Sequence, residues 1–290
     1  MRITNHSGLP DAVVKAVMND SYSKGDCDYS ITTLLQPPRK VFLERHHADE
    51  IEEDVSDRIW SLMGQAVHAI LERAETTAIK ERRLYCEIDN VTASGQMDHF
   101  VVSKRHLSDY KVTSVYKVKA GIPREFEEQL NCYAWLLLAN GEEVTKLDAV
   151  CFLRDWSKQE AKRNKDYPQS QVVVLPARVW SPNEQLNFLR ARIALHEAAK
   201  KSLPECTKEE RWARSDVYAV MREGRKTAIK LFSNKEEAEE RALKEKGFVQ
   251  FRPGQNIRCD SYCAAARFCE QYQALKKQEV NDGTEVQQAN

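Results

Sequence analysis

The spacing of apolar residues changes between residues 55–80 and 83–113, and this change constrains the fold more than any other feature. The apolar positions of the first segment are Ile59, Leu62, Met63, Ala66, Ile70 and Leu71. Their three- and four-residue spacing predicts one long amphipathic helix. The second segment has the alternation of strands, in RLYCEID, GQMDHFVV and LSDYKVTS, the last two joined by a short turn at Ser103–His106. The chain is therefore neither all-helical nor all-β.

The order of the later elements favours an α/β fold with a mixed central sheet flanked by helices. A helix is predicted from Pro123 to about Ala139, where Asn140 and Gly141 form a stop signal. Two strand-like segments follow, and Ser181 then begins a further helix with capping-box spacing. A helical, cysteine-bearing extension completes the chain. The predicted organisation is an N-terminal segment 1–30, a core 31–205, a C-terminal region 206–275 and a flexible tail 276–290.

Composition excludes several classes of protein. The 44 basic and 44 acidic residues give a formal net charge of zero, which excludes nucleic-acid binding by bulk charge but leaves room for a local basic groove. The mean hydropathy is −0.61, and no apolar run reaches the roughly 18–20 residues of a membrane span. We expect a cytoplasmic protein. In that compartment the eight cysteines are expected to be buried thiols or metal ligands rather than disulfides.

Two short motifs place acidic and basic side chains on neighbouring strands. Asp109 and Lys111 lie two residues apart, so they share one face of a strand. If the hairpin closes between Lys104 and Arg105, Asp98 lies opposite Lys111, and the three side chains converge. Paired carboxylates of this kind suit Mg²⁺ or Mn²⁺. An exposed hairpin with an ordinary Asp–Lys pair is the alternative explanation.

The two flanking helices add polar residues to this group. His68 follows Gly64 by four positions, close to the apolar face of its helix, where a histidine is either a core residue or a metal ligand. Gln129 and Tyr133 lie one turn apart on the helix after the hairpin. Such a pair either contacts a phosphate backbone or forms a partly exposed helix face.

The order of these motifs resembles the RecB-type branch of the PD-(D/E)XK nuclease superfamily, over roughly residues 30–155. This branch includes the CRISPR-adaptation nucleases and the nuclease domains of helicase–nuclease complexes. The motifs that carry the resemblance are G-x-x-x-H at 64–68, Glu87, G-x-x-D at 95–98, D-x-K at 109–111 and Q-x-x-x-Y at 129–133.

The resemblance implies a restriction-endonuclease-like fold and a divalent-metal-dependent DNA nuclease. It assigns Asp98, Asp109 and His68 as ligands of Mg²⁺ or Mn²⁺, and Lys111 as the catalytic lysine beside the two aspartates. The positions that it assigns to nucleic-acid contact or to bracing the site are Gln129, Tyr133 and Glu87. Single-stranded DNA or duplex ends are the expected substrate, in recombination, repair or phage DNA processing. A nuclease-like fold that binds nucleic acid or protein without cleavage is the alternative, and recombination or replication proteins are candidate partners.

Three cysteines near the C-terminus, Cys259, Cys263 and Cys269, suggest a soft-metal site. The resemblance implies a 4Fe-4S cluster held by three C-terminal cysteines and one N-terminal cysteine. Pro37 stands where that N-terminal cysteine is expected, and the first spacing is C-x3-C rather than C-x2-C. The candidate fourth ligands are Cys27, Cys206, and His46 or His47, the histidines favouring Zn²⁺. Three thiols without a metal are the other explanation.

Overall fold

The computed structural model describes residues 2–19 and 23–277. Its helices are α1 Asp11–Met18, α2 Ile31–Leu34, α3 Pro38–His46, α4 Ile59–Glu72, α5 Val115–Val118, α6 Arg124–Ala139, α7 Lys158–Arg163, α8 Pro182–Ala199, α9 Lys235–Glu245 and α10 Ile257–Ser261. Its strands are β1 Arg2–Thr4, β2 Tyr29–Ser30, β3 Glu52–Asp54, β4 Ile79–Ile88, β5 Val91–Val101, β6 His106–Thr113, β7 Lys146–Leu153, β8 Val172–Ala177, β9 Ala213–Arg214, β10 Val217–Met221, β11 Lys230–Phe232, β12 Phe248–Arg252 and β13 Gln255–Asn256.

The chain divides into two compact units, and the boundary differs from the one predicted. The first unit contains residues 1–38 and 52–202, and the second contains residues 39–51 and 203–290. The N-terminal segment therefore belongs with the core, while the short stretch 39–51 joins the C-terminal region. The predicted tail 276–290 lies outside the described residues from position 278 onward. No helix within the described part of the chain has the length and apolar character of a membrane span.

The first unit is built on a mixed sheet flanked by helices, as the sequence predicts. Its six strands follow the order β2-β5-β6-β7-β8, with β4 paired to the other side of β5. The β6–β7 and β2–β5 pairs are parallel and the other three are antiparallel. A two-residue turn joins β4 to β5, because Ile88 pairs with Val91 and the intervening Asp89 and Asn90 both have positive φ.

One side of β5 is shared by two strands that leave a gap between them. Near its start, β5 pairs with β2 through Ala93 and Ser94. Near its end it pairs with β6, and the last of those pairs is His99 with Ser108. Beyond that pair β6 leaves β5 and continues along β7 to Thr113. The sheet is therefore forked at Asp98, and polar side chains can enter the fork.

Helices α4 and α6 lie on opposite faces of β6. The ring of Tyr110 contacts His68 of α4, and the ammonium group of Lys111 bonds to Gln129 of α6. Because successive strand residues point to opposite faces, these two contacts place the helices on different sides of the sheet. The main apolar core of this unit contains α6 residues such as Leu136 and the fully buried Phe100 of β5.

The second unit has its own small sheet and two apolar clusters. Strands β11, β10 and β12 pair in that order, all antiparallel, and helix α9 packs on them. A separate cluster joins Leu43 and Ile51 to Ala265 and Cys269. This cluster explains why residues 39–51 belong to the C-terminal part of the chain.

Three local predictions differ from the structure. Helix α4 is shorter than 55–80, because 55–58 form a 3-10 turn and residues 79–80 already belong to β4. Between β7 and β8, where no helix is predicted, the chain forms the short helix α7, which Ser157 caps. The β5–β6 hairpin closes through a 3-10 turn in which Arg105 has φ 47°, so Phe100 pairs with Leu107 and Asp98 does not lie opposite Lys111 as predicted. One further step in this register would place Asp98 opposite Asp109, but the pairing ends at His99 and Ser108.

Two glycines of the motif region, Gly64 and Gly95, have different surroundings. We therefore expect their substitution by alanine to change the free energy of unfolding in opposite directions. A methyl group on Gly95 would lie 2.7 Å from both Leu136 and the ring of Tyr133, whereas one on Gly64 would meet nothing within 4 Å. We expect Gly95→Ala to lower the free energy of unfolding by about 1–3 kcal/mol through overpacking. We expect Gly64→Ala, inside α4, to raise it by about 0.5–1 kcal/mol. Urea unfolding measures both, and two changes of the same sign would contradict the packing described here.

Candidate metal centres

Three side chains from three elements converge at the fork of the sheet. The Nδ1 atom of His68 lies 3.0 Å from Glu81 Oε1 and 3.5 Å from Asp98 Oδ1. One ligand atom from each residue lies within 4.8 Å of the other two. An octahedral Mg²⁺ ion with bonds of about 2.1 Å has neighbouring ligands about 3 Å apart. The spacing of this group therefore suits such an ion.

The backbone of Tyr110 holds two members of this group. Its amide N–H donates to Asp98 Oδ2 at 2.6 Å, in the fork where a ladder hydrogen bond would otherwise form. Its carbonyl oxygen lies 3.2 Å from Nε2 of His68. Because a carbonyl only accepts, Nε2 carries a proton, and Nδ1 is the nitrogen that faces the two carboxylates.

Glu81 is the member of this group that the sequence analysis missed. The pairs Lys80–His99 and Arg82–Met97 flank it, so it lies opposite Asp98. Its φ of 46° is in the left-handed region, and the ladder is interrupted there. Its second oxygen accepts a hydrogen bond of 2.8 Å from Gln96.

Glu87, the acid singled out from the sequence, does not join this group. Its side chain is exposed, and it pairs with Thr92 near the opposite end of β4. It lies six positions after Glu81, a distance of about 20 Å along the strand. Glu81, rather than Glu87, is thus the acid of β4 that lies beside Asp98 and His68, and Glu87 is too far along the strand to brace them.

The electrostatics of the group indicate that a cation suits it. Burial, and then the charge of Asp109, raise the pKa of Asp98 far above its ordinary value. The hydrogen bond to Glu81 raises the pKa of His68, with the charge of Asp98 adding to it. A protonated His68 thus balances the carboxylates with the proton on Nδ1. A divalent cation in the place of that proton would have the same ligand atoms and would relieve the same repulsion.

Asp109 and Lys111 form a second polar chain beside this group. Lys111 Nζ lies 2.6 Å from Asp109 Oδ2 and donates to Gln129 Oε1 at 2.9 Å. Gln129 in turn donates to the hydroxyl of Tyr133 at 2.8 Å. Burial lowers the pKa of Lys111, but the charges of Asp109 and Asp98 outweigh it and raise that pKa overall. Lys111 is therefore a fixed cation at the fork.

The structure brings six of the predicted residues together, in two connected groups. His68 and Asp98 share the group with Glu81, and Asp109 is close enough to affect the pKa of Asp98 but pairs with Lys111. Gln129 and Tyr133 support Lys111 from α6. Tyr133 is only 4% exposed, so its side chain presents almost no surface to solvent.

In the second unit, Cys206 joins the three cysteines predicted from the sequence. Burial raises the pKa of the Cys206 thiol to about 12, with Glu210 adding to this and then Cys269, Cys259 and Cys263. The same causes, burial and then Cys263 and Cys269, raise the pKa of Cys259 to about 11. All eight cysteines of the chain are free thiols.

Positive side chains surround this cysteine group. The buried guanidinium of Arg39 donates from Nε to Cys269 Sγ at 3.1 Å, and the charge of Arg211 lowers the pKa of Cys259 against the effect of burial. Gln271 bonds to both the amide and the carbonyl group of Cys206. Four soft donors with nearby cations suit a thiolate-bound metal.

The other candidate ligands have different contacts. Cys27 belongs to the first unit, where its thiol accepts from Ser94 and donates to the carbonyl of Lys24. His47 bonds through Nδ1 to Glu50 and stacks on Phe268 at 3.9 Å. Cys206 is thus the fourth cysteine of the group.

The two acids of β4 provide a matched test of the first group. We expect Mn²⁺ or Mg²⁺ to raise the Tm of the wild-type chain relative to EDTA, because an ion bound to the folded state stabilises it. Glu81→Gln should remove this rise, and Glu87→Gln should retain it. Differential scanning fluorimetry measures the shift. If Glu87→Gln removed the rise in Tm and Glu81→Gln retained it, Glu87 rather than Glu81 would bind the ion.

Comparisons with known proteins find only distant structural similarity. No protein-family model and no curated protein matches the chain. Among solved structures, the crystal structure of SSO0001 is 18% identical, with a TM-score of 0.43 over 63% of this chain and 84% of that one. A phage-related exonuclease from Haemophilus somnus 129PT is 13% identical, with a TM-score of 0.30 over 57% of this chain and 72% of that one. At these values the function must be judged from the geometry of the chain itself.

Proposed function

We propose that this chain is a divalent-metal-dependent DNA nuclease that hydrolyses phosphodiester bonds. The observation that supports it is the convergence of His68, Glu81 and Asp98 within 4.8 Å, beside the Asp109–Lys111 pair. Such an arrangement of carboxylates, imidazole and ammonium suits a phosphate group and the water that attacks it. A bound Mg²⁺ or Mn²⁺ supplies an acidified water and neutralises charge on the phosphate.

Each residue of the site has a role that follows from its contacts. His68, Glu81 and Asp98 would hold the ion, with Asp109 as a further oxygen donor at the fork. Lys111 would orient the attacking water and stabilise negative charge on the phosphate oxygens. Gln129 and Tyr133 keep its ammonium group in place. Hydrolysis joins the water oxygen to phosphorus and releases the strand on the other side.

We further propose that cleavage begins at DNA ends or in single strands, in recombination, repair or phage DNA processing. This finer part rests on the sequence resemblance. Linear DNA would then be degraded, whereas covalently closed circular duplex of the same sequence would resist. Binding of DNA without cleavage under any metal condition would favour the alternative, a nuclease-like fold that serves as a binding module.

Loss of the lysine or its aspartate is expected to abolish turnover. We expect Lys111→Ala and Asp109→Ala to lower the rate of cleavage of end-labelled DNA by at least about 10²-fold, because the first removes a positioned positive charge and the second an oxygen donor of the site. Lys104→Ala, in the exposed turn before β6, is the control and should cleave at the wild-type rate. EDTA should stop cleavage by every variant. Undiminished activity in either site variant would refute the assigned roles.

We also propose that Cys206, Cys259, Cys263 and Cys269 bind a metal cluster. Among the described residues, only the site at the fork has three candidate ligand atoms within 4.8 Å of one another, so these sulfurs are more widely spaced. A Zn²⁺ ion with bonds of about 2.3 Å holds its four sulfurs within about 4 Å of each other. The wider spacing favours a polynuclear iron–sulfur cluster over zinc.

Metal content tests this proposal. We expect protein purified without oxygen to contain iron and acid-labile sulfide and to absorb visible light. Cys206→Ser should lose the iron and have a lower Tm, because a ligand is removed. Cys27→Ser should retain the iron and the wild-type Tm. Elemental analysis with absorption spectra measures this. A colourless protein with neither iron nor zinc would exclude the site, and zinc alone would replace the cluster by a mononuclear centre.

A further inference from the structure

An exposed tryptophan lies on the same helix as the metal-binding histidine. Trp60, in the first turn of α4, is 51% exposed, although tryptophan is strongly buried on average in folded proteins. No residue of α4 is fully buried, and Met63, Ala66 and Ile70 of the predicted apolar face are exposed. The guanidinium of Arg154 lies over the Trp60 ring, 4.2 Å from its centroid. The pair thus combines an aromatic surface with a positive charge.

The position of Trp60 connects it to the metal site. Trp60, Gly64 and His68 are four residues apart, so they form one row along α4. A side chain at Gly64 would meet nothing within 4 Å, and the row therefore has open space between the indole and the imidazole. Eight helical residues span about 12 Å, the length of three or four stacked nucleotides at about 3.4 Å each.

Arg154 reaches the Trp60 ring from the central sheet. It follows β7, and its amide donates to the carbonyl of Thr113, the last residue of β6. Lys111 lies two residues earlier on β6, a distance of about 7 Å along the strand. The pair Trp60–Arg154 is therefore held by α4 and by the β6–β7 pair, the elements that also carry His68 and Lys111.

The polar groups of this pair are available to a ligand. Within the described part of the chain, Arg154 forms no ion pair and the Trp60 indole N–H donates no hydrogen bond. Proteins bind single strands with aromatic rings and nearby guanidinium groups. Any unpaired base can stack on the ring, and the negative phosphate is attracted to the guanidinium. The bases of an intact duplex are stacked on each other and do not reach such a ring.

We infer that Trp60 and Arg154 form a stacking site for an unpaired base of the DNA strand that enters the metal centre. This inference rests on the proposed nuclease function and specifies its substrate as single-stranded at the point of entry. The strand would pass along α4 over Gly64, with one base on the indole and a phosphate beside Arg154.

Binding in EDTA tests the inference without requiring cleavage. We expect Trp60→Ala to weaken binding of a fluorescent oligothymidylate by roughly 5- to 150-fold, the range for loss of one stacked base. Trp60→Phe should retain most of the affinity, and a blunt duplex should bind equally to both variants and the wild type. Trp212→Ala is the matched control, because Trp212 is 41% exposed and has Arg258 over its ring at the same 4.2 Å.

The outcomes separate this inference from the nuclease proposal. Unchanged affinity in Trp60→Ala, an equal loss for duplex, or an equal loss in Trp212→Ala would overturn the stacking site even if the protein cleaves DNA. A Trp60-dependent affinity for single strands in a protein that never cleaves would support the site and reject the nuclease. Absence of any oligothymidylate binding would overturn the stacking site, and the cleavage assay would then decide the nuclease proposal separately.

Discussion

The backbone N–H and carbonyl of Tyr110 are the constraint on which the site depends. Where β6 leaves β5, this N–H donates to Asp98 and this carbonyl accepts from His68, so two consecutive peptide groups of one strand orient one side chain from the sheet and one from α4. In an unforked sheet the same N–H would bond to a backbone carbonyl of β5. The fork thus exchanges a ladder hydrogen bond for a bond to a carboxylate, and charge-assisted bonds of that kind are the stronger class.

The fork also concentrates charge that the fold must balance. Asp98 and Asp109 are 6% and 2% exposed, and burying carboxylates is expensive unless cations accompany them. Lys111 pairs with Asp109, and the imidazole of His68 lies against Asp98 and Glu81. Glu81 has an additional cost, since a left-handed φ in a residue with a side chain costs roughly 1–3 kcal/mol. Strain and buried charge that gather at one place point to a site selected for chemistry rather than for stability.

The sequence predicted the elements better than it predicted their register. Helix α6 and the flanking strands follow from local patterns, but whether Asp98 lies opposite Lys111 or Asp109 depends on a turn in which Arg105 adopts positive φ. Glu81 was within reach of the sequence, because a two-residue turn at Asp89–Asn90 places it opposite Asp98. The grouping of Cys206 with the C-terminal cysteines depends on tertiary packing, which no spacing in the chain encodes.

The contacts of α6 also decide which residues are left to touch a substrate. The absence of a side chain at Gly95 lets α6 approach β5, so that Gln129 and Tyr133 reach Lys111. Both polar atoms of the Gln129 side chain are used within this network. Because Tyr133 is 4% exposed and Gln129 is already bonded on both sides, these two side chains support Lys111. The row of α4 that starts at Trp60 differs from this network, because Trp60 is 51% exposed and Gly64 has open space beside it, so it is the surface on which our proposed strand contacts lie.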